Sequence, residues 1–470
     1  MNPGGTGSGG LLDASLIARI WSAPAACSDA ITGALLPARL CRDPLMPLLM
    51  CAGAIALLAL AYRTENPLLL VGFMLYAIGC AAPHFGLLFL PAMAIFTPRI
   101  ALSPLGDELL YLRLDHLACA GMLLAVLRAT WGQPHRNTPH RHALRPAPFH
   151  RALLLFLCAV TLSALAGLAQ GTLLHAAGPL LYLANLYYVA LVLILAHTLA
   201  PSLDDSALYA WLLPVIAAAC CGISESIYPL EDLPAGAYRT FERGWVDGAA
   251  NHFAGSFVFG AAIGIALMRM QRWFALGLLT AIASVWALDG TGSKTGFAAL
   301  LAVAATYAWL WLPRLRAPML LCAALLLLLW GDDIFFRLSR PGSSFHDRMV
   351  AWKTALLAFR DYPLLGLGLA ARHRSYYDSQ YFQLLAECGL AGLLAFLCLL
   401  STLLRALRPA SGAAPDARLL QHGAIAATVG MGVHSIASVA FFITIIAVPF
   451  TWIVGLILAR QGQRSCGGTP

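Results

Sequence analysis

The chain has 470 residues, of which 60% are hydrophobic and only 11% charged, with a formal net charge of +8 and a mean hydropathy of +0.76. A soluble domain carries about 25% charged residues, so less than half the usual solubilising surface is available. That balance excludes a disordered chain and a nucleic-acid binder, and it leaves an integral membrane protein.

A membrane span needs roughly 17–25 predominantly apolar residues. In chain order, candidates lie near 46–62, 67–82, 84–97, 109–128, 151–169, 178–199, 207–223, 252–269, 273–288, 295–313, 317–331, 384–405, 423–437 and 440–459. The stretch at 84–97 is short enough for a half-span or an interfacial piece, so twelve to fourteen helices are expected. The chain then divides into an N-terminal segment 1–45, helices over 46–331 with a polar loop near 224–251, a large loop 332–383, helices over 384–459, and a tail 460–470. No internal repeat stands out, which weakens a transporter built on inverted halves. The Gly-rich start from Met1 to Gly10 lacks the features of a cleavable signal.

The positive-inside rule sets the expected orientation. The loop from Arg128 to Arg151 also holds Arg136, Arg141 and Arg145, which makes it cytoplasmic. Counting spans from it puts Arg269–Arg272, Arg314–Arg316, Arg405–Arg418, the tail and the N-terminus on the same side. Ser224–Asn251 and Asp332–Gln383 then fall outside. The second carries Arg337, Arg340, Arg348, Lys353, Arg360, Arg372 and Arg374, against the rule. Such cations either pair with Asp332, Asp333, Asp347, Asp361 and Asp378, or form an anion site suited to phosphate oxygens. The chain's two lysines, Lys294 and Lys353, map to the same face.

The twelve cysteines show no CxxC or other metal spacing. Most sit in apolar runs as small hydrophobes, so no disulfide framework, metal site or cofactor is expected. Within the spans, Arg113 and Asp115 are two apart and share no helical face, so each is expected to have another partner. His434, alone in an apolar helix, reads more readily as a packing residue than as a catalyst.

Three blocks carry a family resemblance. The first is Arg243-Gly244-Trp245-Val246-Asp247-Gly248, followed by Asn251-His252-Phe253-Ala254, with Asn251 suited to cap a helix from 252. The second is Thr291-Gly292-Ser293-Lys294 at the end of a span. The third is Arg348-Met349-Val350-Ala351-Trp352, then Asp361-Tyr362-Pro363-Leu364-Leu365-Gly366-Leu367-Gly368, then Asp378-Ser379 and, nine residues on, Gly389-Leu390-Ala391-Gly392. Pro363 and its glycines are expected to end the helix that carries Arg348 and Trp352. Together these blocks resemble the O-antigen ligase and polymerase superfamily of bacterial polytopic membrane glycosyltransferases. Two positions depart from its pattern: Lys294 stands for an arginine, and Asp378 for a histidine.

The resemblance implies an all-α, GT-C-like membrane protein of the bacterial inner membrane, with both termini cytoplasmic and one large periplasmic loop. It implies transfer of a glycan from undecaprenyl diphosphate to an acceptor sugar hydroxyl, either lipid A-core or a growing glycan, without a metal ion or other cofactor. The donor diphosphate would be met by Arg348 and Lys294, with Arg243, Arg340 and Arg372 as further candidates. Asp378 would serve the acceptor hydroxyl, and Arg348 and Asp378 would be the catalytic pair. A transporter or flippase of polyprenyl-linked saccharides and a protein O-oligosaccharyltransferase stand as alternatives.

Overall fold

The computed structural model describes residues 68–96, 100–105, 108–131, 148–172, 177–199, 205–227, 250–321, 344–371 and 379–466. These form an all-α membrane protein apart from one small hairpin. Helices α1 (Leu68–Ala81) and α2 (Pro83–Phe96) are 14 residues each, about 21 Å, short of the roughly 30 Å hydrocarbon core. Pro91 within α2 cannot hydrogen-bond back to Leu87, four residues earlier. The indole N–H of Trp452 fills that vacancy, donating to the Leu87 carbonyl at 2.9 Å.

Strands β1 (Ile100–Leu105) and β2 (Glu108–Leu112) pair antiparallel and lead into α3 (Leu114–Trp131). The span expected over 109–128 therefore opens as a strand, and its helix starts only after Arg113. This start also overturns the expectation that Arg113 and Asp115 look to different partners. Arg113 stands before the helix, where face-sharing rules do not apply, and its Nε folds back onto Asp115 Oδ1 at 3.0 Å. Arg113 also donates to the Ala94 carbonyl at the end of α2, and the Tyr188 hydroxyl donates to Asp115 Oδ2 at 2.6 Å. The buried charges thus satisfy each other and hold α2 and α3 together.

The remaining helices are α4 (Pro148–Gln170), α5 (Ala177–Leu199), α6 (Ser206–Ile227), α7 (Ala250–Met268), α8 (Phe274–Gly290), α9 (Lys294–Trp311), α10 (Ser344–Asp361), α11 (Gln380–Ala406), α12 (Pro415–His434) and α13 (Thr444–Cys466). Among the described residues six stretches are long and apolar enough to cross a membrane, in α4, α5, α6, α8, α11 and α13. A seventh counts if α9 and Pro313–Leu321, bent by 116°, form one broken span. Helices α1, α2, α3 and α7 contribute shorter apolar stretches. Two starts differ from the sequence reading. Helix α11 begins at Gln380, inside the stretch expected as loop, and α7 begins at Ala250, which puts Asn251 in its first turn instead of at the cap.

Helix α7 packs against α8 and α12, α9 against α12, and α4 against α11. One end of this bundle can be traced by contact. A Cβ on Gly296 would touch Ala254, and one on Gly255 would touch His434. The Gln380 N–H donates to the Ser435 and Ser438 carbonyls at 3.0 and 2.9 Å. Gln383 Nε2 in turn reaches the Tyr182 hydroxyl at 2.9 Å. The starts of α5, α7, α9 and α11 and the end of α12 therefore share one end of the molecule.

Candidate functional site

Two glycine-bearing turns shape this end. In the first, α8 runs out at Gly290 and the chain turns into α9. The Thr291 hydroxyl donates to the Leu288 carbonyl at 2.7 Å and accepts from the Ser293 N–H at 3.1 Å. Ser293 caps α9, its Oγ accepting from the Gly296 N–H at 3.1 Å. Gly292 takes φ +61°, a conformation that glycine adopts without a Cβ penalty. Lys294, the first residue of α9, is thus fixed at its backbone while its side chain stays exposed. A helix start carries positive potential and favours anions, so a lysine there adds to that potential. Both together suit a negatively charged group.

The second turn joins α10 to α11 and explains the spacing of the third block. Helix α10 stops at Asp361, ahead of Pro363. Residues 362–371 then fold back against α11 at the point where that helix breaks, since Gly389 has φ +62° and ψ −163°. Such a break strips carbonyls and N–H groups of helical partners, and the turn supplies them. Leu367 N–H donates to the Ala386 carbonyl at 2.9 Å, and Gly368 N–H to the Glu387 carbonyl at 3.0 Å. In return Leu390 N–H donates to Pro363 at 2.9 Å, and Ala391 N–H to Leu364 at 3.2 Å. Gly366, at φ +71°, lies against the Glu387 backbone so closely that a Cβ would collide with it; Gly389 stands likewise against Leu364. Helix α4 and the residues just after it brace the joint, with the Ser163 hydroxyl donating to the Glu387 carbonyl at 2.6 Å and Thr172 to that of Leu367.

This clamp fixes α10 over the start of α11. Trp352 stacks on Phe382 with ring centroids 5.0 Å apart and planes 12° from parallel, and Ala355 packs on Ala386 with Ala358 beside them. Arg348 lies one turn before Trp352 on the same face of α10 and is half-buried there.

Beneath the clamp lies a layer of polar side chains. Glu387, only 1% exposed, accepts from the Ala370 N–H at 3.0 Å and from Gln383 Nε2 at 3.2 Å to each oxygen. Nearer the start of α11, both amide atoms of Gln380 and the hydroxyls of Ser435 and Ser438 are buried with no hydrogen-bond partner among the described residues. Buried polar atoms normally have partners, so this patch stands out among the described residues. His434, fully buried, adjoins it in sequence.

Residues 278–397 match the O-antigen ligase family. The matched stretch runs from α8 to α11 and takes in both turns, Lys294, Arg348 and Glu387. The match covers about a quarter of the chain, likens this stretch to that family and suggests a glycosyltransferase-like enzyme. No curated protein matches the chain significantly.

Of the residues singled out from sequence, Lys294 and Arg348 stand at the same end of the bundle, on two different helices of the matched stretch. Arg243, Arg340, Arg372 and Asp378 lie outside the described residues, although Asp378 directly precedes Ser379, the residue before α11. No group of three or more His, Cys, Asp or Glu side chains that could hold a metal ion occurs among the described residues. Sequence reasoning passes over Glu387 and Gln380. A signal for the first was present: Glu387 is the one acidic residue in α11, and an acidic group in an apolar span marks a functional candidate.

Proposed function

We propose that this protein transfers a glycan from undecaprenyl diphosphate to an acceptor sugar hydroxyl at the periplasmic face of the inner membrane, without a metal ion, as a ligase or polymerase of surface polysaccharide. The observation that carries the reading is the coincidence of the O-antigen ligase match with the clamped turn that holds Arg348 beside the end bearing Lys294. In the reaction, the bond between the anomeric carbon and the diphosphate oxygen breaks, and the acceptor oxygen bonds to that carbon. Negative charge grows on the departing lipid diphosphate. Arg348 and Lys294, with Arg243, Arg340 and Arg372 as further candidates, stabilise it there. Asp378 takes or orients the acceptor proton. Cations fixed where charge develops stabilise the transition state more than the ground state.

The test is the glycan profile of a deletion strain complemented with the wild type, Arg348→Ala, Lys294→Ala or Asp378→Ala. Loss of one well-placed electrostatic donor lowers the rate by about 10²–10³, so the Arg348→Ala strain is expected to resemble the deletion while its protein accumulates normally. Core lipid without polymer, with long lipid-linked chains accumulating, identifies a ligase. Single repeat units in place of long chains identify a polymerase. Donor trapped on the cytoplasmic face would replace the reading with transport.

A further inference from the structure

We propose that Glu387 is a positioning residue that sets the site by locking the 362–371 turn, and so α10 with Arg348, onto the break in α11. The inference rests on the glycan-transfer reading for its consequence, and on geometry for its substance. Ala370 is the one non-glycine residue with positive φ among the described residues, at +62°. An alanine is rarely found there, because its Cβ crowds the backbone. Its N–H donates to Glu387 Oε2 at 3.0 Å, and this side-chain bond holds the last part of the turn. The earlier part is held by backbone bonds and by the Thr172 hydroxyl on the Leu367 carbonyl.

Glu387 is itself held from two sides. Gln383, one helical turn earlier, donates to both carboxyl oxygens while also reaching Tyr182 on α5. Ser163 of α4 donates to the backbone carbonyl of the same glutamate. The side chain therefore ties α11 and, through Gln383, α5 to one backbone N–H of the turn, while α4 holds the backbone of the same residue. A fully buried carboxyl in an apolar span is expensive, and a turn needed only for packing could dispense with it. A turn that must present α10 at a fixed position has a use for a rigid, off-axis tether.

The experiment uses the full chain purified in detergent, followed by peptide-resolved hydrogen exchange over 362–371, in parallel with glycan profiles of complemented deletion strains. The variants are Glu387→Ala, Glu387→Gln, Glu387→Ala with Ala370→Gly, and Arg348→Ala. In Glu387→Ala, exchange in the turn is expected to rise about tenfold, the factor a net hydrogen bond contributes, and transfer to fall with it while protection in α4 and α13 is unchanged. Glu387→Gln keeps an oxygen for Ala370 and is expected to retain most protection and transfer. Glycine at 370 removes the left-handed strain that the tether offsets, so the double variant is expected to recover part of both. Arg348→Ala is expected to lose transfer with turn protection intact.

Loss of transfer in Glu387→Ala with a fully protected turn would overturn the proposal, as would a turn and a transfer level both left unchanged. Failure of Ala370→Gly to restore any protection would overturn it too. If the deletion strain shows no glycan defect at all, the transfer reading falls, yet the exchange result still decides whether Glu387 tethers the turn.

Discussion

The two ends of the helix bundle handle their polar groups differently. At the end that holds Arg272, Arg316 and Pro415, α9 bends by 116° into Pro313–Leu321 and charges are met at the surface. Arg272 pairs with Asp205 at 2.7 Å and approaches Asp416 at 3.8 Å, all three side chains being roughly half exposed. The Arg269 guanidinium lies 4.9 Å from the Trp311 ring centroid and that of Arg316 5.1 Å from Trp309, while Trp311 Nε1 donates to His422 at 3.0 Å. At the end that holds Lys294 and Gln380, a helix is broken at Gly389, an alanine is held at positive φ, and buried amide and hydroxyl groups lack partners among the described residues. Backbone strain of the Ala370 kind often accompanies functional sites, and it falls at this end.

The most severe way to break this contrast is to deny the clamp its close approach. In Gly389→Ala or Gly366→Ala, a Cβ would meet backbone that cannot move aside, at a φ that alanine resists. Each variant is expected to lose about 4 kcal/mol or more of stability, the range reserved for backbone strain combined with lost hydrogen bonds. Thermal unfolding of the detergent-purified protein would measure this, and a shift of under 1 kcal/mol would show that the two backbones do not meet as described.

Next in size is Gln380→Met. The amide of Gln380 has no partner among the described residues, and removing an unsatisfied buried polar group can leave stability unchanged or raise it. The Met variant is therefore expected to melt no lower than the wild type, while transfer falls about tenfold if the amide serves the reaction next to Asp378. A melting temperature several degrees lower would instead mean that the amide is already satisfied in the folded protein.

How much of this was legible beforehand follows from what each feature depends on. Hydropathy and arginine placement reveal a many-helix membrane protein because burial in lipid constrains composition directly. The motif glycines and Pro363 show where α10 ends, since both act locally on the backbone. What the sequence hides is the meeting of Gly366 with Gly389: their spacing suggests two separate turns, and only tertiary packing makes them one joint. Arg113 and Asp115 mislead for a related reason. Their partnership depends on the helix starting between them, and the hydropathy of 109–128 gives no hint that its first residues form a strand. Gln380 is invisible in the same way, since burial without a partner is a property of the assembled bundle.

The smallest effect belongs to the other end, and it is the control for the rest. Arg272→Ala removes the pair with Asp205 and the weaker approach to Asp416. Exposed pairs of this kind contribute about 0–1 kcal/mol, because water already solvates both partners and salt screens them within about 8–10 Å. The variant is expected to melt within a degree or two of the wild type at 0.15 M salt, with the difference vanishing at 1 M, and to transfer glycan at the wild-type level. Should it destabilise the protein by more than 2 kcal/mol, or lower transfer, charges at this end would be doing more than marking its surface. The contrast between the ends would then reflect depth in the bundle rather than division of labour.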